Sequence, residues 1–143
     1  MDATLTTGAR RAVLAVADAM TRDPIVLRSD DALVDAARVL DEARISGAPV
    51  VDAAGTLVGV LSRTDLLHAR ATAQLWERWS SLQVRHLMRS PAITAIPSMG
   101  LDEAATIMER EGVHRLVVVM PGHVRPVGIL STTDLVHATL RRP

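Results

Sequence analysis

Apolar and polar positions follow two periods along this chain, and the same order of periods occurs twice. After Pro24 a short apolar run, Ile25 to Leu27, precedes a stretch in which Leu33, Ala36, Ala37 and Leu40 fall three and four apart, the spacing of one helix face. An apolar run from Ala48 to Val51, turn residues from Asp52 to Gly55 and a second run from Leu57 to Leu61 come next; two runs so close together predict a β-hairpin. A further helix is predicted from Ser62. The order then returns as Ala92 to Ile96, a helical face of Leu101, Ala104, Ala105 and Met108, Leu116 to Met120, a Pro121-Gly122 turn, Val127 to Leu130, and a helix from Ser131. Asp30 or Asp31 is the expected cap of the first long helix, and Gly112 the expected stop of the second.

Laying the chain on itself at an offset of 68 to 69 residues makes the duplication explicit. Val16 and Met20 match Val84 and Met88, Val50-Val51 match Val118-Val119, and 8 of 11 positions are identical between Gly59–Ala69 and Gly128–Ala138. The unit is strand, helix, strand, strand, helix. A three-stranded sheet with both helices on one side leaves its other face to be covered, and two copies can cover each other. The expected fold is therefore α+β: one duplicated domain over 1–143, with repeat one at 13–69, a helix between the repeats at 70–82 and repeat two at 83–140. A helical lead, Arg10 to Met20, is expected before the first copy.

Composition narrows the function. Of 143 residues 48% are hydrophobic and 22% charged, which excludes disorder. Sixteen basic and sixteen acidic residues cancel, so no basic excess favours nucleic acid or an anionic membrane. Every basic residue is Arg, the side chain suited to forked contacts with anions. Without Cys there is no disulfide, thiolate nucleophile or Cys-bearing zinc site. No window reaches the roughly 18 apolar residues of a membrane span, and the start lacks the order of a secretory signal; a soluble, unprocessed, cytoplasmic protein is expected. Trp76 and Trp79 are the only aromatic residues, so aliphatic side chains must fill the core.

The repeated motif brings Ser-x-Thr-Asp to the first turn of a helix. Hydroxyls and a carboxylate there stand beside free backbone N–H groups, which suits a ribose phosphate: the amides face an anion and the Asp accepts from a vicinal diol. The plainer reading is a capping box, Ser62 with Asp65 and Ser131 with Asp134. A capping box has no need of Thr64 and Thr133, and their repetition favours the ligand reading.

From about Val13 to Leu140 the chain resembles the tandem cystathionine-beta-synthase (CBS) domains of the Bateman module. The resemblance is carried by the two Gly-x-Leu-Ser-x-Thr-Asp stretches, the Met-x-x-x-Pro and Met-x-x-Pro openings, Ser46-Gly47-Ala48-Pro49-Val50-Val51-Asp52, and Val113-His114-Arg115-Leu116-Val117-Val118-Val119. It implies two repeats about a pseudo-twofold axis, with adenosine-containing ligands (AMP, ADP, ATP, S-adenosylmethionine or NAD) in clefts between them, and sensing rather than catalysis. By the same resemblance Asp65 and Asp134 hold ribose hydroxyls, while Ser62, Thr64, Ser131 and Thr133 contact ribose or phosphate. His114 and Arg115 resemble the His-Arg pair that meets phosphates in the regulatory gamma subunit of AMP-activated protein kinase. The matching positions of the first copy, Ser46 and Gly47, carry no charge, so one stronger phosphate site and one weaker, empty or less charge-selective cleft are expected. The base is expected between apolar strand residues such as Val26, Ile93 and Val117.

His68, His86, His114, His123 and His137 lack the spacing of a metal site, and Ser62 and Ser131 are not in a nucleophile-elbow sequence, so neither metal nor catalytic residues are expected. Leu75, Trp76, Trp79 and Leu82 form a stripe that either packs on the protein's own core or serves self-association. Paired apolar helix faces favour a homodimer. The expectation is a stand-alone regulatory module whose occupancy is read by a partner protein or another copy of itself; the alternative is a dimerisation scaffold with degenerate, empty clefts.

Overall fold

The structure is a computed structural model and describes residues 14–141. In chain order its elements are α1 (Val16–Ala19), β1 (Thr21–Arg22), β2 (Leu27–Arg28), α2 (Leu33–Ala43), β3 (Gly47–Val51), β4 (Leu57–Ser62), α3 (Arg63–Ala71), α4 (Ala73–Glu77), a 3-10 turn (Trp79–Ser81), α5 (Val84–Leu87), β5 (Thr94–Ala95), α6 (Leu101–Glu111), β6 (Arg115–Val119), β7 (Pro126–Ser131) and α7 (Thr132–Leu140). Each repeat forms its own sheet, with a short parallel strand, β2 or β5, on the outer side of the hairpin β3–β4 or β6–β7.

The two long helices end alike. Arg44 and Gly112 both take left-handed backbone at the position after the helix, with φ of 56° and 66°. Ile45 then donates its N–H to the Leu40 carbonyl, and Val113 to that of Met108, which satisfies carbonyls the helix would leave open. This turn feeds the chain directly into β3 or β6. The expected cap at Asp30 or Asp31 is corrected: Ala32 occupies the cap position with no side-chain bond, and Asp31 Oδ2 accepts from the N–H of Arg28, tightening the turn before the helix.

Short lead segments are exchanged between the halves. β1, ahead of the first repeat, pairs antiparallel with β7 of the second, Thr21 opposite Ile129 and Arg22 opposite Gly128. At the matching place Arg89, ahead of the second repeat, exchanges two backbone bonds of 2.9 and 3.0 Å with Val60 on β4 of the first. The helical leads cross likewise. Val16 is fully buried in the second core with Leu116, Leu130 and Met108, while Leu82 and Val84 are buried in the first with Leu33, Leu40 and Leu61. Backbone bonds fix both docks, from Val16 N–H to the Met99 carbonyl and from Leu33 N–H to the Leu82 carbonyl. The sequence boundaries at 13–69 and 83–140 therefore cut across the packing units.

The predicted continuous helix over 70–82 is also corrected. Thr72 leaves helical geometry, with φ −106° and ψ 112°, and the chain resumes as α4 and the 3-10 turn. This break lets Leu75, Trp79 and Leu82 pack on the first core, which gives most of the Trp stripe to the protein itself. Trp76 remains partly exposed, under the Arg70 guanidinium at 4.5 Å from its ring centre. Of the expected lead from Arg10 to Met20, residues 10–13 lie outside the described residues and Val16–Ala19 is helical.

The exchange depends on the glycine of each Gly-x-Leu-Ser motif. A Cβ on Gly59 would stand 2.6 Å from the Arg89 carbonyl oxygen; one on Gly128 would meet the flexible Met20 sulfur at 2.7 Å and the Thr21 carbonyl at 3.1 Å. Backbone yields less readily than a methionine. Gly59→Ala is accordingly expected to destabilise the fold by about 2–3 kcal/mol and Gly128→Ala by about 1 kcal/mol in chemical denaturation.

Candidate functional site

Both Ser-x-Thr-Asp turns fold as capping boxes. Ser62 N–H donates to Asp65 Oδ2 at 2.8 Å, Ser62 Oγ–H to the same oxygen at 3.1 Å, and Asp65 N–H to Ser62 Oγ at 3.4 Å. Ser131 and Asp134 repeat the arrangement at 2.8, 3.0 and 3.2 Å. The plainer reading of these residues is thus fulfilled, yet it consumes only one carboxylate oxygen. Oδ1 of Asp65 and of Asp134 has no hydrogen-bond partner among the described residues, and a carboxylate oxygen can accept two bonds.

Each motif opens on a cleft whose far wall comes from the other repeat. In the first cleft, Ser62, Thr64 and Asp65 face Ala92, Ile93, His114 and Arg115, with Arg89 from the exchanged segment at the side. In the second, Ser131, Thr133 and Asp134 face Ile25, Arg44, Ser46 and Gly47, with Asp23 at the side. All eight residues singled out in the sequence are therefore brought to the clefts. The first has a cavity volume of about 130 Å³ and the second about 430 Å³, so only the second already reaches the 300–1,000 Å³ usual for small-molecule sites. Of the apolar residues expected to flank a base, Ile93 lines the first cleft. Val117 is wholly buried in the sheet, and Ile25 rather than its neighbour Val26 lines the second.

Arg115 lines both clefts. It stands opposite Ser131 on the neighbouring strand, as Gly47 stands opposite Ser62, and reaches across to the first repeat, where Nη2 donates to Ser46 Oγ at 3.2 Å. Burial lowers its pKa from the ordinary value, opposed by the nearby Asp65 carboxylate; an arginine so placed keeps its charge at any physiological pH. Among the described residues no carboxylate lies within 4 Å of it. The second cleft is consequently not without a cation, as Ser46 and Gly47 alone suggested.

Two cations were not legible as site residues. Arg89 hides in an unremarkable linker and reaches the first cleft through its backbone pairing with Val60. Arg44 aligns with Gly112, and that mismatch was the available signal: a side chain stands where the other copy keeps the residue best suited to left-handed backbone. Asp23 and Arg44 are the non-glycine residues with positive φ among those described, and both line the second cleft. Arg63, by contrast, is engaged in structure, with Nε and Nη2 donating to the carbonyls of Ile45 and Leu40 at the end of α2. Outside the clefts His86 is equally structural, its Nδ1 accepting from Gln83 N–H. No group of three or more His, Asp or Glu among the described residues is placed to hold a metal, and no described helix is long and apolar enough to cross a membrane.

The sequence model of the CBS domain matches residues 16–72 and again 84–141. The chain is 33% identical over 118 residues to an inosine-5'-monophosphate dehydrogenase of Mycobacterium leprae, covering 82% of this chain and 21% of the enzyme. It thus spans about a fifth of that relative's length. An uncharacterised protein of Methanocaldococcus jannaschii, MJ1426, is 27% identical over 157 residues, covering 90% of this chain and 92% of its own. Among solved structures, CBSX2, an Arabidopsis thaliana CBS-pair protein, crystallised with AMP, superposes with a TM-score of 0.77 at 30% identity, covering 90% of this chain and 97% of that one. The CBS domain pair of protein MJ0100, in complex with 5'-methylthioadenosine and S-adenosyl-L-methionine, gives 0.80 at 26% identity with the same coverages.

Left-handed backbone costs a side chain about 1–2 kcal/mol, and glycine there recovers this less about 0.5–1 kcal/mol of unfolded-state entropy. Arg44→Gly is therefore expected to raise stability in denaturant titrations by about 0.5–1 kcal/mol while removing a cation from the second cleft.

Proposed function

The chain belongs to the CBS domain family and carries the domain twice, as a pair, and from that premise we propose that it is a regulatory module sensing an adenosine-containing metabolite in the clefts between its repeats. One observation carries the reading: each cleft joins a free carboxylate oxygen and a threonine hydroxyl at a helix start to an apolar wall and a guanidinium from the other repeat. Oδ1 of Asp65 or Asp134 accepts from the two ribose hydroxyls, and Thr64 or Thr133 adds a bond beside them. Ala92 and Ile93, or Ile25, give the base a dry face. Arg115 and Arg89 in the first cleft, and Arg115 and Arg44 in the second, answer phosphate or carboxylate charge. AMP, ADP, ATP, S-adenosylmethionine and NAD all present this chemistry, and the relatives crystallised with AMP and with S-adenosyl-L-methionine support it.

Because each cleft is built by both repeats, a ligand that bridges them favours one relative placement of the halves. It can shift that equilibrium only by the difference in its affinity for the two placements. The module binds and transmits rather than catalyses, in the cytoplasm, to a partner protein or to a second copy of itself. Leu67 on α3 and its counterpart Val136 on α7 are 66% and 55% exposed, and Leu140 is 77% exposed, a pseudo-symmetric apolar face suited to an isologous homodimer. A second reading, a scaffold with empty clefts, is favoured by the capping duty of both Ser-Asp pairs and by the narrowness of the first cleft.

Melting the protein with each candidate ligand separates the two. A sensing module gains about 2.7 kcal/mol from a ligand at 100 times its dissociation constant, whereas a scaffold gains nothing from any of them. Asp134→Ala should cost about 1 kcal/mol through the lost cap and also abolish the response of the second cleft; an unchanged affinity would remove the ribose contact. Leu67→Asp combined with Val136→Asp is expected to convert a dimer into a monomer in sedimentation velocity, and no change of mass would exclude this face.

A further inference from the structure

The pseudo-twofold axis passes between positions 47 and 115, which correspond in the two repeats. A Cβ on Gly47 would lie 2.7 Å from Arg115 Nε and 2.9 Å from Cζ, so the absence of a side chain at 47 is what lets the guanidinium lie where it does. The one present lines both clefts. Its recorded side-chain bond is the 3.2 Å contact to the neutral Ser46 hydroxyl, which leaves most of a guanidinium's five N–H donors for a ligand and tethers it weakly. A forked contact takes two N–H groups along one in-plane edge of the guanidinium, and a side chain turned to lay its open edge against a phosphate in one cleft carries that edge away from the other.

We propose that Arg115 is a single phosphate-binding group held in common by the two clefts, so that a phosphorylated ligand in one weakens the binding of a phosphorylated ligand in the other. The proposal rests on the nucleotide reading above. Charge at the clefts gives the direction. With Arg115 turned to the first cleft, Arg89 and Arg115 stand against Asp65 alone, while the second is left with Asp23 and Asp134 against Arg44. That second cleft then repels a phosphate. Drawing Arg115 back neutralises both. A ligand without phosphate makes no demand on Arg115 and binds each cleft independently. Occupancy of the pair thus reports phosphorylation as well as concentration, because AMP antagonises itself where adenosine does not.

The test compares both clefts together with each alone. Ala92→Trp fills the first and Ile25→Trp the second, and both leave every charge in place. If the clefts are independent, the product of the two AMP association constants of the wild type equals the product of the single-cleft constants, to within about twofold. Calorimetry is expected to find the wild-type product smaller by about fivefold or more with AMP, and equal with adenosine. Arg115→Gln should restore equality for AMP. A shortfall that persists in Arg115→Gln, or that adenosine shows equally, overturns the proposal in favour of phosphate repulsion or a packing change. Should Arg115→Gln fail to fold, the side-chain Nε–Hε resonance of Arg115 decides in the two tryptophan variants. It must move with AMP in both, and movement in only one overturns the sharing. AMP binding at both clefts with equal products removes the sharing alone, whereas no binding by any ligand removes the nucleotide reading as well.

Discussion

Two glycines allow a foreign backbone to lie against a sheet edge, and the clefts exist because of that approach. At Gly59 the Arg89 backbone closes a reciprocal pair of hydrogen bonds with Val60; at Gly128 the chain around Thr21 does the same on the other sheet. Each repeat thereby receives a strand edge and a helical turn from residues preceding its twin. Val16 and Val84, both fully buried, seat those turns in the core of the opposite repeat. The halves are thus interlocked by backbone as well as by contact. The register of this interlock sets how far each Ser-x-Thr-Asp turn stands from the opposite repeat, and hence the width of each cleft.

At the helix starts one side chain divides its oxygens between the cap and the cleft. Asp65 and Asp134 each commit Oδ2 to the cap and leave Oδ1 open. A capped helix is pre-ordered, so the open oxygen and the threonine beside it are held in place before any ligand arrives, and the cost of ordering them falls on folding instead of binding. Capping and recognition are therefore compatible at these positions. The Schellman-type turns redirect each long helix into the sheet at the mouth of a cleft, which brings Ile45 to Gly47 to one lining and Val113 to Arg115 to the other.

The duplicated order of elements, the hairpins, the helix stop at Gly112 and the two Ser-x-Thr-Asp turns were legible, because local periodicity and identity at a fixed offset encode them, whereas His114 and Arg115 have no counterpart in the first copy and were marked by the family resemblance alone. The exchange was not legible. Val16 and Val84 match each other in the sequence, but nothing local says that each docks on the other repeat's core. The break at Thr72 was hidden for a similar reason: the residues around it favour a helix, and the need to deliver Leu82 to the first core overrides them. Arg89 carries no motif and acquires its place from tertiary pairing. The missing side-chain cap at Ala32 shows a local rule yielding to a turn in which Asp31 is better used one step earlier.

The copies diverge at two pairs of corresponding positions that line the clefts. At corresponding positions 47 and 115 one copy has glycine and the other arginine; at 44 and 112 the assignment is reversed. In the first pair the glycine leaves open the volume that the guanidinium fills. The second opposes backbone preference, for Arg44 occupies left-handed geometry that Gly112 adopts freely. A strain of this kind persists where the surrounding structure holds it and where the side chain is of use. Arg44 provides the second cleft with a cation on the side away from the axis, where that cleft otherwise has Asp23 and Asp134 and a part share in Arg115. The two copies thus present the same Ser-x-Thr-Asp edge with different charge around it, and that difference, rather than the repeated motif, distinguishes the two clefts.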